Sequence, residues 1–178
     1  NPGDARVAVE VQQDWSLVDE VRLWSRRFWV RLCDVHRGNG CLRALPGSHL
    51  FNRGVRGHGQ GFAHPGLADL IQERYLVDVP MAAGQAFVST QSLIHASPPN
   101  DSPDVRVAAC ALAVPAESVL WFVGVERGGS EVGVYAVDDE FYLSHHFGAV
   151  PPVERRLALV ERAPEPLDLS RFAAPGTP

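Results

Sequence analysis

Three short pieces of the sequence carry side chains that could do chemistry together: Gln12-Gln13-Asp14, the His95 of Leu93-Ile94-His95-Ala96, and the Arg106 of Val105-Arg106-Val107. Residues two apart in a strand share a face, so Glu10, Gln12 and Asp14 project together into whatever that strand lines. An acid, an amide and an acid in one row describe either a solvated edge or a metal site with one ligand changed. Arg106 is the one charge in Val105–Val114, a run otherwise fit for a strand buried on both faces. A buried guanidinium needs a partner, which is either a structural ion pair or a ligand carboxylate held by its planar fork. His95 precedes Arg106 across the turn-forming Ala96-Ser97-Pro98-Pro99-Asn100-Asp101, so an antiparallel pair of strands would place both in one cavity. Taken alone, such a His is more often a satisfied core or surface residue.

Together the three pieces approach a known pattern. Non-haem iron oxygenases hold Fe(II) with two His and one carboxylate on one face and leave the opposite positions open. The usual arrangement is His-x-Asp on one strand and a distant His on another; here it is Gln12-x-Asp14 and His95.

The stretches VQQDWSLVDE, FWVRLCDVHRGNGCLRALPGSH, MAAGQAFVSTQSLIHASPPNDSPDVRVA and VYAVDDEFY resemble the phytanoyl-CoA dioxygenase family, in the same order along the chain. The resemblance implies an all-β, double-stranded β-helix (jelly roll) with few short helices. It also implies an enzyme that uses Fe(II), 2-oxoglutarate and O2 to hydroxylate a small organic substrate. On this reading Asp14 and His95 take iron-ligand positions, Arg106 grips the far carboxylate of 2-oxoglutarate, and Ser97 and Asn100 shape the pocket. Gln12 falls on the first His position, and its amide oxygen is a harder, weaker partner for Fe(II) than imidazole. Thr90 and Gln91 stand where charged or ring-bearing groups are common in the family. An iron-independent member acting as an isomerase or binding protein, or an inactive fragment, stays open beside the oxygenase.

The elements that must position these residues read as short strands. Apolar or alternating runs recur at 6–11, 28–33, 41–45, 84–89, 105–114, 119–125 and 132–137 between Gly, Pro and Asn punctuation, the spacing of a sandwich or barrel. Asn39-Gly40 is the strongest hairpin signal, because both residues tolerate positive φ. One short helix is expected over 66–75, in a long connection that holds His58 and His64 and could be a lid or plain surface. Residues 1–162 read as the oxygenase-like domain, lacking the usual N-terminal part, and 163–178 as a loosely packed Pro/Ala-rich extension. Gly47-Ser48-His49, the GHGQG segment and His145-His146 read as structural.

Composition bounds the rest. A chain of 178 residues with 46% hydrophobic content fits one domain with a real core. The net charge of −5 argues against nucleic acid. All 16 basic residues are Arg, and half of them fall between Arg22 and Arg56, a cluster that would attract an anionic ligand or form a solvated mixed-charge surface. Cys33, Cys41 and Cys110 have neither CxxC spacing nor a signal peptide upstream, so a reduced, cytoplasmic protein is expected. Val107–Val114 is too short to span a membrane. The partners expected are a small-molecule substrate, no nucleic acid and no membrane, with a homo-oligomer left open.

Overall fold

The computed structural model describes residues 8–51, 53–58, 60–126, 131–144, 150–161 and 166–172. It is built mostly of strands with few short helices, as expected. The strands are β1 (Val9–Gln12), β2 (Arg26–Arg31), β3 (Leu42–Ala44), β4 (Val77–Val79), β5 (Ala86–Ser89), β6 (His95–Ser97), β7 (Ala108–Ala113), β8 (Leu120–Val125), β9 (Glu131–Val137) and β10 (Arg156–Glu161). The helices are α1 (Ala68–Arg74) and α2 (Asp139–Ser144).

Three antiparallel sheets result, in the orders β1-β6-β3-β4, β5-β2-β7 and β10-β9-β8. From β1 to β7 the chain passes back and forth between the first two sheets, the double-sheet winding of a jelly roll. The two sheets face each other across a small cavity to which both contribute side chains. In the first sheet, β1 carries one residue more than β6 between the pairs Val9↔Ser97 and Gln12↔His95, a β-bulge. The third sheet is a meander tied to the rest by the Trp121 N–H donating to the Leu17 carbonyl at 2.8 Å and by a bridge between His58 and Gly124.

The core lies behind the first sheet. Val11, Leu45, Ile94 and Ala96 turn away from the cavity and pack with Ile71 and Leu76, from α1 and the turn after it. At seven residues α1 is too short to hold itself, so its stability comes from this packing. Burying a side chain such as Ile71 contributes about 1.5–3 kcal/mol. Phe172 joins the same cluster, with Leu167 and Leu169 against it. Residues 166–172 of the C-terminal extension are therefore docked on the core, where a loose tail was expected.

Two further expectations change. Asn39-Gly40 does not close a hairpin: β2 and β3 belong to different sheets. The segment forms a 3-10 turn over Arg37–Asn39 that Gly40 ends at φ +79°, so the positive-φ signal is real but serves a crossing between layers. Val105–Val114 is not buried on both faces. Among the described residues β7 is an edge strand paired only to β2, and Val105 and Leu112 are 66% and 53% exposed. No helix among the described residues is long and apolar enough to cross a membrane. His145-His146 and Gly59 of the GHGQG segment lie outside the described residues.

Candidate functional site

The bulge in β1 sets Gln12 opposite His95 of β6, and Asp14 follows just beyond the strand end. The backbone at Asp14 is fixed from several sides. Its N–H donates to the Gln91 carbonyl at 3.0 Å, and its carbonyl accepts from Arg56 Nε at 2.8 Å. Arg56 in turn grips both Glu20 oxygens through Nη2 at 2.6 Å. Burial pushes the Glu20 carboxyl up from its ordinary range and Arg56 opposes that shift, so the pair is a buried clamp on the Asp14 segment.

Three polar groups then converge. His95 Nε2 lies 3.8 Å from Asp14 Oδ1 and 3.5 Å from the Gln12 amide nitrogen. His95 Nδ1 donates to the Leu93 carbonyl at 2.9 Å; a carbonyl can only accept, so in the neutral ring the lone pair sits on Nε2, aimed at Asp14 and Gln12. The outer oxygen of Asp14 pairs with Arg27 Nη1 of β2. Arg27 thus either orients the carboxylate, as ligand-supporting partners do, or competes for its charge.

The adjoining cavity, about 10 Å³, is lined by Asp14, Arg27, Trp29, Phe87, Leu93 and His95 among others. That is room for one ion or one water. Its apolar walls come from the facing sheets.

Arg106 does not line this cavity. Nor do β6 and β7 pair as the sequence suggested, since they lie in different sheets. Arg106 reaches across from the approach to β7 and donates through Nη1 to Ser97 Oγ at 2.8 Å, while Ser97 Oγ donates to the Gly40 carbonyl at 2.9 Å. Burial holds its guanidinium pKa below the usual value. Asn100 ties the intervening turn, donating to the Asp104 carbonyl at 2.7 Å and accepting from Ser102. Thr90 contacts Ser92, and Gln91 is buried with no hydrogen-bond partner on its amide. Ser48 is structural as expected, accepting from the Ile94 N–H at 2.8 Å. His58 stacks edge-on against Trp15 at 4.9 Å, and His64 is packed against Phe62.

Sequence reasoning did not single out Arg27 or Arg31. Their signal was the spacing Arg27-x-Trp29-x-Arg31, which puts two guanidiniums and an indole on one face of β2.

The donor chemistry can be tested against Fe(II). Asp14 Oδ1 and His95 Nε2 fit two ligand positions. A half-turn of the Gln12 amide offers its carbonyl oxygen as the third, a weaker donor than imidazole. No group of three or more His, Cys, Asp or Glu able to hold a metal occurs among the described residues, so the site fits the ion only with Gln12 included. Among the described residues the Arg106 guanidinium donates only to Ser97, which leaves N–H donors that a carboxylate could take.

Comparison with known proteins places the chain. A phytanoyl-CoA dioxygenase from Arabidopsis thaliana is 34% identical over 97 residues, covering 52% of this chain and 34% of that protein. Among solved structures, SnoK, a non-haem alpha-ketoglutarate-dependent carbocyclase from nogalamycin biosynthesis, shares the fold at a TM-score of 0.51 and 24% identity, covering 64% of this chain and 45% of that one. The epimerase SnoN, solved with Fe3+, alpha-ketoglutarate and nogalamycin RO, does so at 0.53 and 23%, covering 67% and 47%. The chain therefore spans about a third of the plant relative and less than half of either structure. The profile of the family described as Phytanoyl-CoA dioxygenase (PhyH) matches residues 1–108, through β6 to just beyond Arg106, and the chain belongs to that family.

Proposed function

We propose that this chain carries the site of an Fe(II)- and 2-oxoglutarate-dependent dioxygenase of the phytanoyl-CoA dioxygenase type, which hydroxylates a small organic substrate and has a weakened iron site. The observation that carries this reading is the convergence of Gln12, Asp14 and His95, with the His95 Nε2 lone pair directed at the other two. Asp14 and His95 would hold the ion with the Gln12 oxygen, and Arg106 would hold the far carboxylate of 2-oxoglutarate. When bound, Fe(II) and 2-oxoglutarate supply the oxidising power drawn from O2. The chain's own task is positioning. The Leu93 carbonyl fixes the His95 ring, and the Glu20–Arg56 clamp fixes the backbone at Asp14. Trp29, Leu42, Phe87 and Leu93 keep bulk water from the donors.

A second reading has its own support. An amide in place of imidazole and a guanidinium on the carboxylate both suit a member that works without iron, as an isomerase using Asp14 and His95 for proton transfer or as a binding protein. Anaerobic titration with Fe(II) and 2-oxoglutarate separates the two. The oxygenase reading expects a visible charge-transfer band of the chelated complex at high iron concentration, and hydroxylation or uncoupled 2-oxoglutarate consumption on admitting O2. A folded chain that gives neither band nor turnover at millimolar Fe(II) would transfer the assignment to the iron-independent reading.

A further inference from the structure

The inner face of β2 ends in a group that no interaction described so far explains. Arg31 is 1% exposed, and none of its three guanidinium nitrogens has a hydrogen-bond partner among the described residues. Strand alternation puts it in line with Arg27 and Trp29, and its guanidinium lies over the Trp29 ring at 4.4 Å.

The register that pairs Arg31 with Ala108 continues beyond β7. Leu32 N–H donates to the Val107 carbonyl at 3.2 Å, and Val107 N–H reaches Cys33 Sγ at 3.4 Å. Arg106 therefore stands opposite Cys33, diagonal to Arg31 on the same face. The titratable groups acting most on Arg31 are Arg106, which lowers its pKa further after burial, and the thiols of Cys33, Cys41 and Cys110. A buried guanidinium, Arg31, and a half-buried one, Arg106, are thus neighbours, and Arg106 has only Ser97 as a hydrogen-bond partner among the described residues. Buried charge is retained in proteins where it is paired.

A guanidinium held over an indole still presents a planar fork of donors. That arrangement matches a planar carboxylate better than a tetrahedral anion. The Ser97 hydroxyl, held in turn by the Gly40 carbonyl, restrains Arg106 beside it.

We infer that Arg31 and Arg106 together form a buried site for one carboxylate of a small dicarboxylic acid, and that this site fills without a metal. The inference rests on the reading that 2-oxoglutarate is held at Arg106. It adds Arg31 as a second, equal partner, and anion binding that is independent of the weakened metal end.

The test is made in EDTA, so that it does not depend on iron. Calorimetric titration and thermal melting of the full chain are run with succinate, which lacks the keto group needed for chelation, with 2-oxoglutarate, and with inorganic phosphate at equal ionic strength. Succinate and 2-oxoglutarate should bind saturably with similar affinity and raise the melting temperature, and phosphate should bind at least tenfold more weakly. Arg31→Met should lower succinate affinity at least tenfold, yet melt no lower than the parent without ligand, since it removes an unpaired buried charge. Arg31→Lys keeps the charge but loses the planar fork; it should also lose affinity and decides the matter if the Met variant does not fold. The inference is overturned by a folded parent that ignores succinate in EDTA, by Arg31 variants that bind as the parent does, or by phosphate binding as tightly as succinate. None of these outcomes depends on the iron titration, so the oxygenase reading can fail while this one stands, and the reverse.

Discussion

Two clusters of charge, Asp14 with Gln12, His95 and Arg27, and Arg31 with Arg106, differ in how they are satisfied. In the first, the proposed metal end, Asp14 is already paired with Arg27, and the position opposite His95 holds an amide, so little negative charge or nitrogen donor strength would remain for a dication. In the second, the proposed anion end, Arg31 has no hydrogen-bond partner and Arg106 only a hydroxyl among the described residues, so positive charge is left over there. The first is close to neutral as built, and the second carries charge that an anion would offset. On the proposed reading, a changed ligand in the first cluster need not disable the second, because the two rest on different residues.

The largest expected effect breaks the anion end outright. A Cβ on Gly40 would lie 2.8 Å from the Pro98 carbonyl oxygen and 3.1 Å from Arg106 Nη1, at a φ of +79°. Gly40→Ala should therefore cost about 2–4 kcal/mol of stability by urea unfolding, with backbone strain and overpacking both contributing. Its succinate binding should fall at a temperature where the variant remains folded. A variant as stable as the parent would show that the turn yields without disturbing Arg106.

Repairing the metal end should have the next largest effect. Gln12→His restores an imidazole beside Asp14 and His95, and Fe(II) affinity should rise at least tenfold, about 1.4 kcal/mol. The gain should vanish when Asp14→Asn is added. Equal iron binding by Gln12→His and the parent, both folded, would remove Gln12 from the ligand set.

A smaller change distinguishes the two roles open to Arg27. If it competes with the ion for Asp14, Arg27→Gln should tighten divalent-cation binding about threefold, in line with the modest worth of a partly exposed ion pair. If it orients the carboxylate, the same variant should weaken binding instead, and calorimetry with Mn(II) or Fe(II) reads the sign.

Much of the fold was legible in the sequence. Every run read as a strand overlaps one, because alternation and turn residues report local geometry. β6, at three residues, was too short to show a period, and β4 and β10 were passed over. The Asn39-Gly40 turn was legible as a turn but not as a layer crossing, since its backbone is the same in both. At the site, Gln12, Asp14 and His95 could be found from type and spacing together with the resemblance. Arg31 could not be separated from the other arginines between Arg22 and Arg56. Only pairing across β2 and β7 reveals which of them is buried and unpartnered.

The extra residue that β1 carries between Val9 and Gln12 has a consequence for tolerance to length change. Removing Glu10 would leave Val9 and Gln12 opposite Ser97 and His95 in an unbroken ladder, with Asp14 still two positions past Gln12. The bulge therefore acts as slack in the chain. It insulates the facing of Gln12 and Asp14 from small insertions or deletions upstream, in a strand where a slip of one residue would otherwise turn both donors out of the cleft.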